Sequence, residues 1–443
     1  MRGLQVAALV ALLCLTSNAT TAGQSASTYV SLFDAVWSTT DKYFYDPRFL
    51  GHDWKAIGVR FRAQLGTVHS DKDFETLADT MLDQLGASHL DLLPPSSSKA
   101  ATVGIGVRVR DLNDGYFVRI VEHLSDAYAK GVRIGDRLLS RRADLSGPPG
   151  AVANVEMQRC DGTVRLLHVR RMGAFWPPEH PGLAWYSVRT GLNRTIGYLR
   201  ITRFDDGAAP LIDQAMSELK DTNGLIIDVR GNSGGNLSSS RLVSYFSGPS
   251  RIAVALFSRR YLEKLGHAVT ARDVRNGPEV FGAYTDAKIF AAISRDGGGA
   301  VFMTDDLRDR EYTEPVVVLM DHDTGSAGEG FAWMMKAMTH ATLVGRETAG
   351  VLLSGKEFDL PKGWKLVVPV DGLWGADGTD FRDRPVQPDI AVRWTRAGMC
   401  SGRDPDIEEA LSVLGDSGST QTEAPSEAER PHASERPVSG RPG

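Results

Sequence analysis

The sequence predicts an α/β protein with a helical N-terminal segment, a small mostly-β domain and a core of alternating strands and helices. Three patterns carry this. Apolar residues recur at helical spacing between 27 and 92. Short alternating strands run from Val103 to about Arg171, and from about Trp176 strands and helices take turns. At 443 residues and 42% hydrophobic content, the chain can bury two or three cores. The expected divisions are a leader at 1–22, helices at 27–99, the small β domain at 100–172, the core at 173–412 and a tail at 413–443.

The leader shows Arg2, the apolar run Val6 to Leu15, and small polar residues ending at Thr20-Thr21-Ala22. This is the order of a secretory signal, with an apolar stretch too short for a permanent membrane anchor. The expected product is exported, periplasmic or extracellular, and not stably anchored in a membrane. A formal net charge of −5 and the absence of a basic stripe argue against nucleic-acid binding. Cys14 leaves with the leader, so Cys160 and Cys400 remain, free to form one disulfide or to stay as separate thiols.

In the helical segment, Val30, Leu32, Phe33, Val36 and Trp37 mark one helix. Phe74, Leu77, Met81, Leu82 and Leu85 mark a second, which ends at Gly86 before the loop Ala87-Ser88-His89-Leu90-Asp91. Strands are then expected at 104–109, 116–121, 136–139 and 163–169, with a short helix at 126–130 closed by Gly131. This order resembles a PDZ domain, with Gly104-Ile105-Gly106-Val107 where that family binds a terminal carboxylate. Ser146-Gly147-Pro148-Pro149-Gly150 leaves little room for the second helix that walls such a groove.

In the core, 196–201 and 224–229 are expected as strands, and 208–219 and 238–246 as helices. Residues 254–314 are charge-rich and contain Gly297-Gly298-Gly299; they are expected to form an insertion or lid near the site. After about Leu414 the chain is Ser, Glu, Pro, Gly and Arg, a composition that predicts disorder.

Chemistry is expected at Thr324-Gly325-Ser326-Ala327-Gly328-Glu329, where the β-branched run Val316-Val317-Val318-Leu319-Met320 gives way to helix-forming sequence. A serine at such a corner sits beside unpaired N–H groups at the positive end of a helix. That placement suits a nucleophile that attacks a carbonyl and shelters the oxyanion it creates. Ser326 followed by Glu329 also spells a capping box. A second corner, Asp228-Val229-Arg230-Gly231-Asn232-Ser233-Gly234-Gly235-Asn236, can turn the N–H of Gly234 or Gly235 into the same site. The Ala327 N–H would be the partner donor.

Together these segments resemble the C-terminal processing (tail-specific) serine peptidases and the related tricorn core, over roughly residues 28–395. The resemblance implies a ClpP/crotonase-like core with a PDZ-like insert, protein or peptide substrates, and no metal or organic cofactor. It places the nucleophile on Ser326. In the processing branch a lysine follows the stretch Gly345-Arg346-Glu347-Thr348-Ala349-Gly350; here that position is Val351, and Lys356 and Lys362 stand outside the motif. In the tricorn branch the base is a histidine preceded by a serine, which matches Ser88-His89. The resemblance therefore favours His89 as base, because a neutral imidazole can accept a proton near pH 7, with Ser88 orienting it. The family's glutamate aligns with Arg382; Asp383, one residue on, is the carboxylate candidate, with Asp380 behind it. The rival expectation is a non-catalytic ligand-binding relative on the same fold.

Overall fold

The computed structural model describes residues 29–95, 103–112, 114–121, 125–171, 182–190, 193–295, 297–382, 384–401 and 403–415. The expected leader at 1–22 and most of the expected tail lie outside these residues. The chain has a mixed α/β fold with an N-terminal helical segment and three sheets. No helix among the described residues is long and apolar enough to cross a membrane.

The first sheet runs Ile390–Ala391, Thr342–Gly345, Val316–Met320, Leu225–Asp228, Thr195–Ile201, Leu183–Arg189 in spatial order. All neighbours are parallel except the last pair. Its central strands are buried on both faces, as continuous apolar runs require. The period of two then sorts their side chains. Val316, Val318 and Met320 face the helices Ala208–Leu219 and Ala327–Met338. Val317 and Leu319 face Ala410 and Leu411 of the closing helix Pro405–Val413 and Leu414 at its C-cap.

The second sheet corrects the expectation for 254–314. Ile252–Ser258 and Gly299–Met303 are adjacent antiparallel strands in its middle, and they are core rather than a lid. Short apolar runs divided by charged helices hid them, because periodicity alone cannot place a fully buried strand. Lys365–Trp374 joins Ile252–Ser258 to Asp91–Leu93, and Ser354–Asp359 pairs with the outer part of the same long strand. The N-terminal helices at 29–43, Trp54–Arg62 and Asp71–Leu82 pack against this sheet. The middle one was not expected from sequence, since Gly58 interrupts its pattern. A β-carbon on Gly58 would lie 2.3 Å from Trp37 Nε1, so close packing of the tryptophan excludes a side chain there. Gly86, at φ +58, ends the third helix's trailing turn as the sequence suggested.

The third sheet is antiparallel and five-stranded: Val107–Asp111, Tyr116–Val121, Arg137–Leu138, Val152–Gln158, Val164–Arg170. The strand at 152–158 was not anticipated; the helix Asp126–Ala129 was. Cys160 and Cys400 form a disulfide across a separation of 240 residues, tying this sheet to the C-terminal segment. Removing a native disulfide typically costs about 2–5 kcal/mol. The Cys160→Ala/Cys400→Ala protein should therefore melt several degrees lower than the oxidised parent, and reductant should lower the Tm of the parent alone.

Asp371, on the long strand, lies opposite both Ser354 and Ser258 and is 3% exposed. Burial pushes its carboxyl from 3.8 up to about 7, with the Lys356 ammonium pulling the other way. A carboxyl raised on folding adds stability that is complete below its unfolded value and is lost as pH rises through its folded value. The cost between about pH 4 and pH 7 is up to roughly 4 kcal/mol at 1.36 kcal/mol per unit. Asp371→Asn should therefore raise the Tm at pH 8 and leave it nearly unchanged at pH 4. Thermal melts across this range check it.

Candidate active site

Leu225–Asp228 and Val316–Met320 are paired in register, Leu319 opposite Asp228, so both chains leave the sheet side by side at its carboxyl edge. Crevices outside this edge are where α/β sheets bind ligands. The two departing turns are locked to each other. Asn232 Oδ1 accepts the Gly234 N–H (2.8 Å), its Nδ2 donates to the Ile201 carbonyl, and its own carbonyl accepts the Gly325 N–H (2.9 Å). Thr324 Oγ1 donates to the Val229 carbonyl, and Asp321 accepts the Gly231 N–H. Arg119, from the third sheet, is buried against Asp321 and Asp323.

Behind the first turn, Arg230 pairs with Asp228, Asp404 and Asp406, and Arg200 also reaches Asp228. Burial alone would raise the Asp228 carboxyl. The Arg230 and Arg200 guanidiniums outweigh burial and, with hydrogen bonds from Arg230 and Tyr198, hold it well below the usual carboxylate range.

The second turn delivers Ser326 at φ +51, ψ −124, immediately before the 12-residue helix Ala327–Met338. Positive φ is strained for a serine and persists only where surroundings impose it. Those surroundings are visible. The Ser326 N–H is shared between the Val351 carbonyl (3.0 Å) and Glu329 Oε2 (3.3 Å). Glu329 is fully buried and accepts three further donors: Thr348 Oγ1, Gly350 N–H and Val351 N–H, the last two at 2.7 Å. The expected capping role of Glu329 thus extends to a grip on residues 348–351, a long-range contact with no signal in local sequence.

Of the two candidate donors, Gly234 is corrected: its N–H is committed to Asn232. Gly235 forms a parallel bridge with Phe204, in which Phe204 bonds Gly234 O and Asn236 N and leaves the N–H of Gly235 facing the other way. Gly235, Ala327, Ser326 and His89 line one cavity of about 420 Å³. A β-carbon on Gly235, at φ +131, would sit 1.6 Å from the Phe204 carbonyl oxygen. Gly235→Ala should therefore displace the turn and, for the expected role of Gly235 as an oxyanion donor, lower kcat by about 10²–10³. Steady-state assays check it, paired with a melt to separate misplacement from unfolding.

His89 also has positive φ, +56. Its Nδ1 lies 3.0 Å from Ser88 Oγ, which accepts the Leu353 N–H at 3.4 Å. A β-carbon on Gly355 would come within 3.0 Å of His89 Cβ, so that glycine lets the ring pack closely. The segment 350–355 therefore touches both partners, Ser326 through Val351 and Ser88-His89 through Leu353 and Gly355. Lys356 lies over the Phe358 ring and lines a separate cavity with Asp371. Neither Lys356 nor Lys362 lines the Ser326 cavity. Asp383 lies outside the described residues. Arg382 pairs with Asp380 at 2.9 Å, while the neighbouring Phe381 forms part of the cavity wall. Leu237, Val254, Ile289, Phe290, Trp333 and Leu353 form an apolar part of that wall.

Residues 195–392 match the model of peptidase family S41, and residues 26–83 match that of the tricorn protease C1 domain. A putative tricorn protease homolog of Streptomyces coelicolor is 23% identical over 86% of this chain; the match spans 32% of that relative's length. A carboxyl-terminal-processing protease of Picosynechococcus is 24% identical over 86% of this chain and 87% of its own. Among solved structures, a photosystem II D1 C-terminal processing protease superposes with TM-score 0.53 at 19% identity, covering 88% of this chain and 98% of the other. Mature CPAF superposes with TM-score 0.57 at 15% identity, over 86% and 97%. The chain thus carries a peptidase family S41 domain at 195–392, with a tricorn-type C1 segment at 26–83 ahead of it.

Proposed function

We propose that this protein is an exported serine endopeptidase in which Ser326 is the nucleophile and His89 the general base. One observation carries the reading: Ser326, His89 and the backbone of Gly235 and Ala327 share a single cavity, with the serine held at positive φ on a helix N-terminus. With Nδ1–H donated to Ser88 Oγ, His89 Nε2 keeps the lone pair that accepts the Ser326 proton. The oxygen of Ser326 attacks the scissile carbonyl, and the Ala327 and Gly235 N–H groups stabilise the oxyanion. The histidine then protonates the leaving amine, and water, deprotonated by the same ring, releases the acyl-enzyme. Asp383, two residues after the cavity-lining Phe381 in sequence, is the proposed carboxylate member of the site. The apolar wall fits a bulky apolar side chain next to the scissile bond.

The proposed domain plan is a helical segment at 27–99, a PDZ-like domain at 100–172 and a ClpP/crotonase-like core at 173–412. The helix Asp126–Ala129 closed by Gly131 at φ +84 supports the PDZ likeness. The Cys160–Cys400 disulfide supports export, since such bonds persist in oxidising compartments. Arg382 and Val351, standing where the family carries a glutamate and a lysine, favour the second reading, a peptide-binding relative without turnover. Cleavage of casein and of short apolar peptides separates them. The proposal expects hydrolysis by the wild type and none by Ser326→Ala. Equal hydrolysis by both proteins, or none by the wild type, would reject it.

A further inference from the structure

The Asp371 carboxyl has no hydrogen bond or ion pair among the described residues, although the residue is only 3% exposed. It lines a cavity of about 490 Å³ that meets the Ser326 cavity at Phe290. A buried carboxyl without a partner is costly when charged and tolerable when neutral. Three elements bring charges to this cavity. The helix at 29–43 contributes Asp41 and Lys42, the latter over the Tyr43 ring. The helix Arg259–Leu265 contributes Arg260 and the pair Arg259–Glu263, joined at 2.8 Å. The strand Ser354–Asp359 contributes Lys356. Burial pushes Asp371 up to about 7, and of these groups only the Lys356 ammonium pulls it back. Yet Lys356 is not ion-paired to it: the ammonium lies 5.6 Å from the centre of the Phe358 ring, which itself stacks on Tyr43.

This is the arrangement of a neutral carboxyl, and on ionising it has one nearby cation to recruit. Lys356 is one residue from groups that meet the base. A β-carbon on Gly355 would stand 3.0 Å from His89 Cβ, and Ser354 and Gly355 both line the Ser326 cavity. The ladder is also interrupted here. Ser354 stands opposite Asp371 but Gly355 opposite Pro369, so Val370 is left over as a bulge, the kind of irregularity at which a strand bends. We propose that Asp371 and Lys356 are positioning residues for His89. Ionisation of Asp371 draws the Lys356 ammonium off the Phe358 ring, carries Ser354-Gly355 with it and shifts His89 from its place in the Ser326 cavity. The neutral carboxyl leaves Lys356 on the ring and the base where it stands. The consequence for turnover rests on the peptidase reading; the movement itself does not.

The movement is read by NMR of the full-length Ser326→Ala protein carrying isotope-labelled histidine, with the His89 signal identified by its loss in His89→Asn. The His89 signals of this protein and of its Asp371→Asn form should coincide at pH 5, where both side chains are neutral, and differ at pH 9. Adding Lys356→Met, which keeps the length and drops the charge, should bring them together at both. Turnover is read on a short apolar peptide. A histidine base alone gives a rate that rises with pH and levels off. In the wild type, kcat/KM should instead fall about tenfold between pH 7 and pH 9, since a misplacement of about 1 Å can cost about 100-fold. Asp371→Asn and Lys356→Met should each restore the plateau. His89 signals that coincide at pH 9, a wild-type rate level to pH 9, or a fall that persists in either variant would overturn the proposal. A wild type that cleaves nothing while the signals separate as expected would count against the peptidase reading alone.

Discussion

Ser326→Ala is expected to lower kcat by about 10⁴–10⁶-fold, leaving only what the oxyanion donors and binding contribute. The expectation follows from position more than from residue type. Ser326 shares its cavity with Ala327 and Gly235, the proposed oxyanion donors, and Glu329 with Val351 holds its backbone in a conformation that serine does not adopt freely. Alanine keeps the backbone contacts and removes only the hydroxyl, so the melting temperature should move little. A large loss of activity with an unchanged melt is the signature of a nucleophile. A large loss of both would describe a helix cap instead.

His89→Asn should cost about 10⁴-fold or more in kcat. Asparagine is the informative replacement because it tolerates positive φ, as the backbone at 89 requires, yet cannot act as the base. Residues that act as one unit are not additive. The double variant Ser326→Ala/His89→Asn should therefore be no slower than Ser326→Ala alone. Lys356→Ala should retain most activity, because Lys356 lines a different cavity. Full activity in His89→Asn, with loss in Lys356→Ala, would move the base to the lysine.

The serine corner was legible because local sequence contains nearly all of it: a buried β-branched strand, a glycine-rich turn and a helix former with glutamate at its third position. The core helix Ala208–Leu219 was legible for the same reason. What escaped depends on distant residues. The choice between Gly234 and Gly235 turns on the Asn232 side chain, which consumes one N–H and leaves the other. The reach of Glu329 to Gly350 and Val351 exists only because parallel pairing of Val316–Met320 with Thr342–Gly345 brings that segment back. The second sheet escaped because its strands belong to widely separated stretches of chain, 91–93, 252–303 and 354–374, none with a strong period of its own. His89 alone carries no signal. Its ring is oriented by Ser88, which is in turn held by Leu353, a contact spanning 265 residues.

Activation of Ser326 by His89 is read out by the site and rate of covalent modification with a fluorophosphonate. Intact-mass and peptide mapping should find one adduct, on Ser326, and the rate should fall at least 100-fold in His89→Asn. An adduct on another residue, no adduct at all, or an undiminished rate in His89→Asn would contradict it.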